Sequence, residues 1–388
     1  MRLAVYTDYA YHRAGSEVFA ERAFALFLAR LAGEFDRLVL VGREAPVPNR
    51  ARYAVGAGVE LVPLPYYRRL SEPLAVLRAS VQSGWRFWRA LGGVDAVWLL
   101  GPHPLAMAFA VLAALRRKRV VLGVRQDTRA YVSSRHPGRP LLRLAATVLD
   151  AIWRGLARAF PVVVVGPEIA AHYGGARSLL EIAVSLVDER DLVPAEAVLK
   201  RSYRDELRVI SVGRLEAEKN PLLLADVMAR LRQDGDRWRL IVCGEGAMQA
   251  MLEDRLRELG IAERAELLGY VPFGPRLHAL YRDSHALLHV SWTEGLPQVL
   301  VEAFAAGLPV VATDVGGVAR AVGGAVRLVP AGDAGAAAAE LQAIAADQGL
   351  REELIRAGHD YAAARTVTTQ VKRLGEFLRG AESRPASD

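Results

Sequence analysis

The sequence runs through the same rhythm twice. Apolar, β-branched runs (LAVYT, RLVLVG, VELVPL, AVWLL, VVLGV and PVVVVG) alternate with longer helical patterns through the first half. A polar stretch, SLVDERDLVPAEAVLKRSYRDEL, interrupts them, and a second series begins: RVISVG, RLIVCGEG, AELLGY, ALLHVS and PVVATD. Short strands that are apolar on both faces, separated by helices, build parallel sheets covered on both sides. The expected fold class is α/β, with two Rossmann-like domains in tandem facing across a cleft, and a length of 388 residues suits two such domains. In open α/β sheets ligands sit beyond the carboxyl ends of the strands, so the strand-to-loop junctions are the places to search.

Composition narrows the setting. Cys243 is the sole cysteine, which excludes an internal disulfide framework and any multi-cysteine metal site. The opening MRLAVYTDY meets an aspartate too early for a secretory leader, and the apolar run from Val97 to Leu115 is broken by Gly-Pro-His-Pro. A cytoplasmic protein is expected. Residues 1–190 hold 26 Lys and Arg against 15 Asp and Glu, whereas residues 191–388 hold 24 against 28. That asymmetry fits either a first half that meets an anionic surface or arginine spread over a solvated face.

In VGRLEAEKNPLLLADVMARL, residues 212–231, Asn220 followed by Pro221 reads as an N-cap with proline in the first helical position. Arg214 then leaves a strand end and Lys219 precedes a helix N-terminus. A cation there is disfavoured by roughly 0.3 to 1 kcal/mol. An anion held between Arg214, Lys219 and the helix amides would reverse the sign. The chain has four lysines, at 118, 200, 219 and 372, so one kept here reads as a compact charge for phosphate.

SWTEGLPQVLVEAFAAGLPVVAT, residues 291–313, reads as a helix from Pro297 to a stop at Gly307, apolar on nearly every side, with Gln298 and Glu302 as its polar residues. An ionised Glu302 needs a donor nearby: sugar hydroxyls, or a buried arginine. Glu294 lies in the preceding loop beside Gly295, whose missing side chain lets a ligand approach the amides at the helix start. Vicinal hydroxyls suit it too, unless it is simply a surface residue.

E-G-L-P-x4-E-A-x-A-x-G-x-P-V-V-A-T-D-x-G-G, with S-V-G-R-L-x3-K-N, C-G-E-G and L-G-Y-V-P upstream, strongly resembles the retaining, nucleotide-sugar-dependent glycosyltransferases of the two-Rossmann (GT-B) type, family 4-like. The resemblance runs from about Val209 to Asp333 and is thinner before it, where H-R-A-G-S-E, residues 12–17, stands for the family's glycine-rich loop. It implies that Arg214 and Lys219 neutralise the donor diphosphate, with Gly15 a further diphosphate contact. Glu302 would accept both ribose hydroxyls and Glu294 the sugar hydroxyls, with Gly244, Gly295, Leu296 and Pro297 lining the pocket. The main chain at Tyr270 and Val271 would edge the base. It implies no metal and no cofactor beyond the nucleoside diphosphate sugar as co-substrate, and Asp234 and Asp236 read as a turn. The family's first-domain histidine is missing: V-L-G-V-R-Q-D-T places Arg125, Gln126 and Asp127 there, with Asp127 either a catalytic candidate or a cap of the next turn. His103, in G-P-H-P, is a further acceptor-side candidate, or a structural histidine.

PLAVLRASVQSGWRFWRALGG, residues 73–93, sets Leu74, Leu77, Val81, Trp85 and Trp88 on one face and Arg78, Arg86 and Arg89 on another, just after Tyr66, Tyr67, Arg68 and Arg69. It reads as a core-packed helix or as a basic amphipathic helix on an anionic membrane. No G-x-G-x-x-G follows the first strand, and Gly56-Ala-Gly58 leads into a strand, which argues against a dinucleotide dehydrogenase; no nucleic-acid recognition motif is present. The expected protein transfers a hexose-type sugar to an acceptor hydroxyl, on a glycan or a lipid carrier, in bacterial glycan or glycolipid assembly. A nucleotide-sugar epimerase of the same fold, or a non-catalytic nucleotide-sugar binder, are the alternatives. The expected domains are residues 1–188 for the acceptor and 189–365 for the donor, a helix over 366–380 returning to the first, and a disordered tail at 381–388.

Overall fold

A computed structural model describes residues 1–15, 17–45, 53–56, 58–66, 73–135, 138–233, 235 and 237–380, with the backbone alone at 73–76 and 134–135. Tyr67, Arg68, Arg69, Asp234, Asp236, the side chain of Leu74 and the tail 381–388 lie outside the described residues. The chain divides into two compact units. One comprises Met1–Val132, Gly138–Val184 and Val367–Asp388; the other comprises Ser133–Pro137 and Ser185–Thr366.

The first unit contains β1 (Arg2–Ala14), β2 (Glu17–Ala20), β3 (Arg37–Glu44), β4 (Tyr53–Ala54), β5 (Val59–Leu64), β6 (Ala96–Gly101), β7 (Arg119–Val124), β8 (Val162–Val165) and β9 (Leu179–Ile182). Seven of them run parallel in the order β5-β3-β1-β6-β7-β8-β9. The loop expected after the first strand is instead a hairpin. β1 continues to Ala14, turns at Gly15 with φ +62, and pairs antiparallel with β2, Tyr11 opposite Ala20. The last helix, Val367–Arg379, packs in this unit, where Arg119 donates to the carbonyl oxygens of Leu378 at 2.9 Å and Phe377 at 3.1 Å.

The second unit contains β10 (Leu207–Val212), β11 (Trp238–Cys243), β12 (Ala265–Leu267), β13 (Ala286–His289), β14 (Val310–Thr313) and β15 (Val326–Val329). All six are parallel, in the order β12-β11-β10-β13-β14-β15, with Val209 in register with both Leu240 and Ala286. The order reverses between β10 and β13. Their onward connections therefore run to opposite sides of the sheet and leave a crevice at the strand ends, the place where such sheets hold ligands. One core covers each face of this sheet, the first around Leu223, Val227 and Leu341, the second around Tyr281, Leu300 and Phe304.

Two local expectations are corrected. Asn220 is not an N-cap: it closes the short 3-10 turn Ala217–Lys219 in the left-handed conformation, φ 50 and ψ 47, and the helix begins at Leu222. Asparagine tolerates that conformation better than other side chains, and the reversal sets Lys219 at the end of a turn. The helix expected from Pro297 spans Gln298–Ala305, with Pro297 as its cap, and closes by a bond from the Leu308 N–H to the Ala303 carbonyl at 2.9 Å. Gly307, at φ +70, permits this closure. A β-carbon there would lie 2.4 Å from Val198 Cγ2. Gly307→Ala is expected to destabilise the protein by about 2 kcal/mol through left-handed strain and the clash together, read as a lower urea midpoint that Val198→Ala partly restores.

Candidate functional site

The loops after β10 and β13 meet at the reversal point. The Trp292 N–H donates to the Glu218 carbonyl at 2.9 Å and joins them. On the first loop Arg214 sets Nη2 2.9 Å from Glu218 Oε1, a charge contact without hydrogen-bond alignment, since that buried oxygen has no hydrogen-bond partner. A third loop supports the first. A β-carbon on Gly244 would lie 1.7 Å from the Gly213 carbonyl oxygen, and the Leu215 N–H donates to the Glu245 carbonyl at 3.0 Å. Gly244 thus serves by letting two main chains touch.

Glu294 is the centre of this crevice, with its side chain 9% exposed. Its Oε1 receives the Lys219 ammonium, His289 Nε2 at 2.9 Å and the Ser291 hydroxyl at 2.6 Å. Burial alone would raise this carboxyl; Lys219 and His289 overcome it and hold Glu294 well below the usual carboxylate range. Ser291 is fixed in turn, its carbonyl accepting from the Thr313 hydroxyl at 2.7 Å. Glu294 is therefore no idle surface residue. Lys219, read from sequence as an anion ligand, here bonds a carboxylate of its own chain.

Glu302 is buried on the helix Gln298–Ala305, and its partner is a tyrosine: the Tyr281 hydroxyl donates to Oε2 at 2.9 Å. Burial pushes the Glu302 carboxyl up to about 7 against that hydrogen bond, and pushes the Tyr281 phenol well above its ordinary value. Gly295, Leu296 and Pro297 form the link between the two glutamates. Val271 is buried and Tyr270 half-buried just beyond β12, where the Gly269 carbonyl accepts from the Gly244 N–H at 2.8 Å.

The remaining sequence candidates lie in the first unit. Gly101 of β6 is in register with Val124 of β7, so His103 and Arg125 emerge from neighbouring strand ends. His103 Nδ1 accepts from the Leu105 N–H at 3.2 Å and lies 3.0 Å from the Tyr6 hydroxyl. That capping bond assigns the proton to Nε2, and burial lowers the imidazole's affinity for a second one. Arg125 lies over the rings of Phe24 at 4.6 Å and Tyr9 at 4.8 Å. Gln126 and Asp127 are exposed, and Asp127 Oδ1 caps the next helix, accepting from Arg129 N at 2.8 Å and Ala130 N at 3.0 Å. Gly15, at its hairpin tip, belongs to this unit as well. The structure thus brings together Arg214, Lys219, Gly244, Glu294 and the 295–297 segment in one unit, and His103 with Arg125–Asp127 in the other. Sequence reasoning missed His289, Ser291, Glu218 and Tyr281; a histidine ending the apolar strand ALLH was the available signal for the first.

Residues 198–361 match the family model of glycosyl transferases group 1. An amylovoran biosynthesis glycosyltransferase of Erwinia amylovora is 34% identical over 111 residues, 29% of this chain and 30% of that protein, so the match spans under a third of either. Among solved structures, sucrose-phosphate synthase from Thermosynechococcus elongatus superposes with a TM-score of 0.75 at 19% identity, covering 98% of both chains. Anabaena HepE, crystallised with UDP, gives 0.69 at 18% identity over 98% of this chain and 100% of that one. These structural likenesses establish the GT-B fold.

Proposed function

From a chain whose residues 198–361 match the family model of glycosyl transferases group 1, we propose a retaining, metal-independent glycosyltransferase that moves a hexose from a nucleoside diphosphate to an acceptor hydroxyl on a glycan or lipid carrier, in bacterial glycan assembly. The observation that carries this reading is the charge arrangement at the reversal point of the second sheet: Arg214 and Lys219 beside a carboxylate kept ionised while buried. The neighbour crystallised in complex with UDP supports a nucleotide as part of the donor.

In this reading Arg214 and Lys219 turn toward the diphosphate, and Glu294 exchanges the ammonium for hydroxyls of the sugar. Glu302 accepts from the ribose. The bond from the anomeric carbon to the diphosphate breaks and the acceptor oxygen bonds that carbon on the same face; the acceptor proton passes to the leaving phosphate. Fixed cations aimed at the developing phosphate charge supply several kcal/mol of such a barrier. Titration calorimetry with UDP-, GDP- and ADP-sugars tests the reading. One nucleotide series is expected to bind, and Glu302→Ala to weaken it about tenfold or more, the worth of a charged hydrogen bond. Binding of none of the three, or an unchanged affinity in a folded Glu302→Ala protein, would overturn the assignment.

A further inference from the structure

In the first unit, the helices Pro73–Ala90, Pro104–Leu115 and Pro140–Ala157 cover one face of the sheet side by side. The first packs inward through Ala79, Ser83 and Phe87, and Phe87 stacks on Phe109 of the second at 4.1 Å. The third packs inward through Ala146, Asp150, Trp153 and Ala157. The stripe that sequence periodicity singled out on the first helix therefore does not enter the core. Val81 is 66% exposed and Trp85 58%, in line with an exposed Leu77, while Trp88 is half-buried. The neighbouring helices repeat the pattern: Leu115 is 69% exposed, Leu141 80%, and Leu144, Val148 and Ile152 continue an outward stripe.

Isolated apolar residues on a surface need no explanation, but stripes on three adjacent helices form a patch of the kind that marks an interaction site. Its charge identifies the partner. The three helices contain a single acidic residue, Asp150, and it is buried, bonded to Arg154, His172 and Tyr173. Their exposed cations include Arg78, Arg86 and Arg89, and Arg116, Arg117 and Lys118 follow directly on the second helix. Arg89 lies over the Trp85 ring at 4.8 Å and Arg116 over Trp88 at 4.0 Å, so the guanidinium groups lie against the indoles at the patch itself. The helix Gln249–Glu258 of the second unit is unlike these, carrying Glu253, Asp254 and Glu258. A second copy of this chain would set arginine against arginine across the patch. A bilayer with anionic headgroups matches both properties, apolar side chains reaching the acyl boundary, indoles at headgroup depth and arginines on phosphates.

We infer that this three-helix face docks the protein on an anionic membrane surface. Among the described residues no helix is long and apolar enough to cross a bilayer, so the attachment is interfacial. The inference goes beyond the transferase reading, and its test needs no sugar donor, so either can fail alone. Flotation of the full chain with vesicles of phosphatidylcholine containing roughly one third phosphatidylglycerol is expected to show binding about tenfold stronger than to phosphatidylcholine alone, weakened by salt. Leu77→Ser with Val81→Ser and Trp85→Ser, and separately Leu141→Ser with Leu144→Ser, each lower it about tenfold without loss of circular dichroism, since exposed positions leave the core intact. Brominated lipid quenches tryptophan emission in the wild type and less in Trp85→Leu. Three results would overturn the inference: no binding to anionic vesicles, binding unchanged in both serine variants, or a wild-type dimer in sedimentation that the same substitutions dissociate.

Discussion

Lys219→Ala is expected to lose about 3 kcal/mol of stability and, in the proposed transferase, at least about a hundredfold in sugar transfer. The stability loss follows from what remains behind. Glu294 keeps its burial and loses the ammonium on Oε1, retaining only His289 and the Ser291 hydroxyl. Breaking a buried ion pair from one side costs about 3 to 5 kcal/mol, and the lower figure applies because the Lys219 side chain is partly exposed. The pH dependence has a definite sign. Glu294 is held below its ordinary value, so its contribution is present above about pH 4.5, the unfolded carboxylate value, and is lost as pH falls toward the folded one. In Lys219→Ala that acid-side loss shrinks. Adding Glu294→Gln to Lys219→Ala should recover most of the stability, because no buried charge is left unpaired, and none of the transfer activity. Urea midpoints and initial rates on the two single variants and the double variant separate these roles. If Lys219→Ala leaves the midpoint unchanged, the ion pair does not hold the loop, and the account of Glu294 fails.

What the sequence disclosed and what it hid divide along the range of the interactions. The strands of both sheets were visible wherever the chain is apolar on consecutive residues, as in VVVV at 162–165, because covering helices make both faces core. The edge strands β4, β9 and β15 were missed, and β2 between β4 and β1 with them; Tyr53–Ala54 is too short to carry a period. Glu302 was legible as a buried carboxylate because every other residue of the helix except Gln298 is apolar, yet its tyrosine partner lies 21 residues away and no local pattern announces it. Lys219 and Glu294 are 75 residues apart, so the motifs pointed to both without showing that they bond each other. Asn220-Pro221 misled because the same dipeptide serves as a helix start and as a left-handed turn, and only the 3-10 turn before it selects the second. On Pro73–Ala90 the periodicity set an apolar stripe on one face and arginines on another, and the core took neither: Ala79, Ser83 and Phe87 face inward, with Phe87 stacked on Phe109.

Glu302 should make the protein less stable as the solution becomes more alkaline, by about 3 kcal/mol between pH 5 and pH 8 for this group alone. Its carboxyl is raised from an ordinary value of 4.5 to about 7, with burial as the leading cause. A raised acid binds its proton more tightly when folded. The stabilisation is therefore complete below about pH 4.5, declines as pH rises, and is gone above about 7. Other carboxylates, Glu294 among them, act with the opposite sign, so the informative quantity is the difference between wild type and Glu302→Gln at each pH. The glutamine can still accept from the Tyr281 hydroxyl but cannot ionise. The two proteins are expected to unfold at similar urea concentrations near about pH 5, and the variant to be the more stable near about pH 8. Nucleotide-sugar affinity should move the other way on the proposed role of Glu302, in which two ribose hydroxyls would donate to the ionised carboxylate: it rises through about pH 7 in the wild type and stays flat and weak in Glu302→Gln. A group kept only for the fold has no reason to oppose stability at the pH where it binds best. A wild type as stable as the variant at about pH 8, or an affinity that falls as Glu302 ionises, would make this carboxylate a structural one.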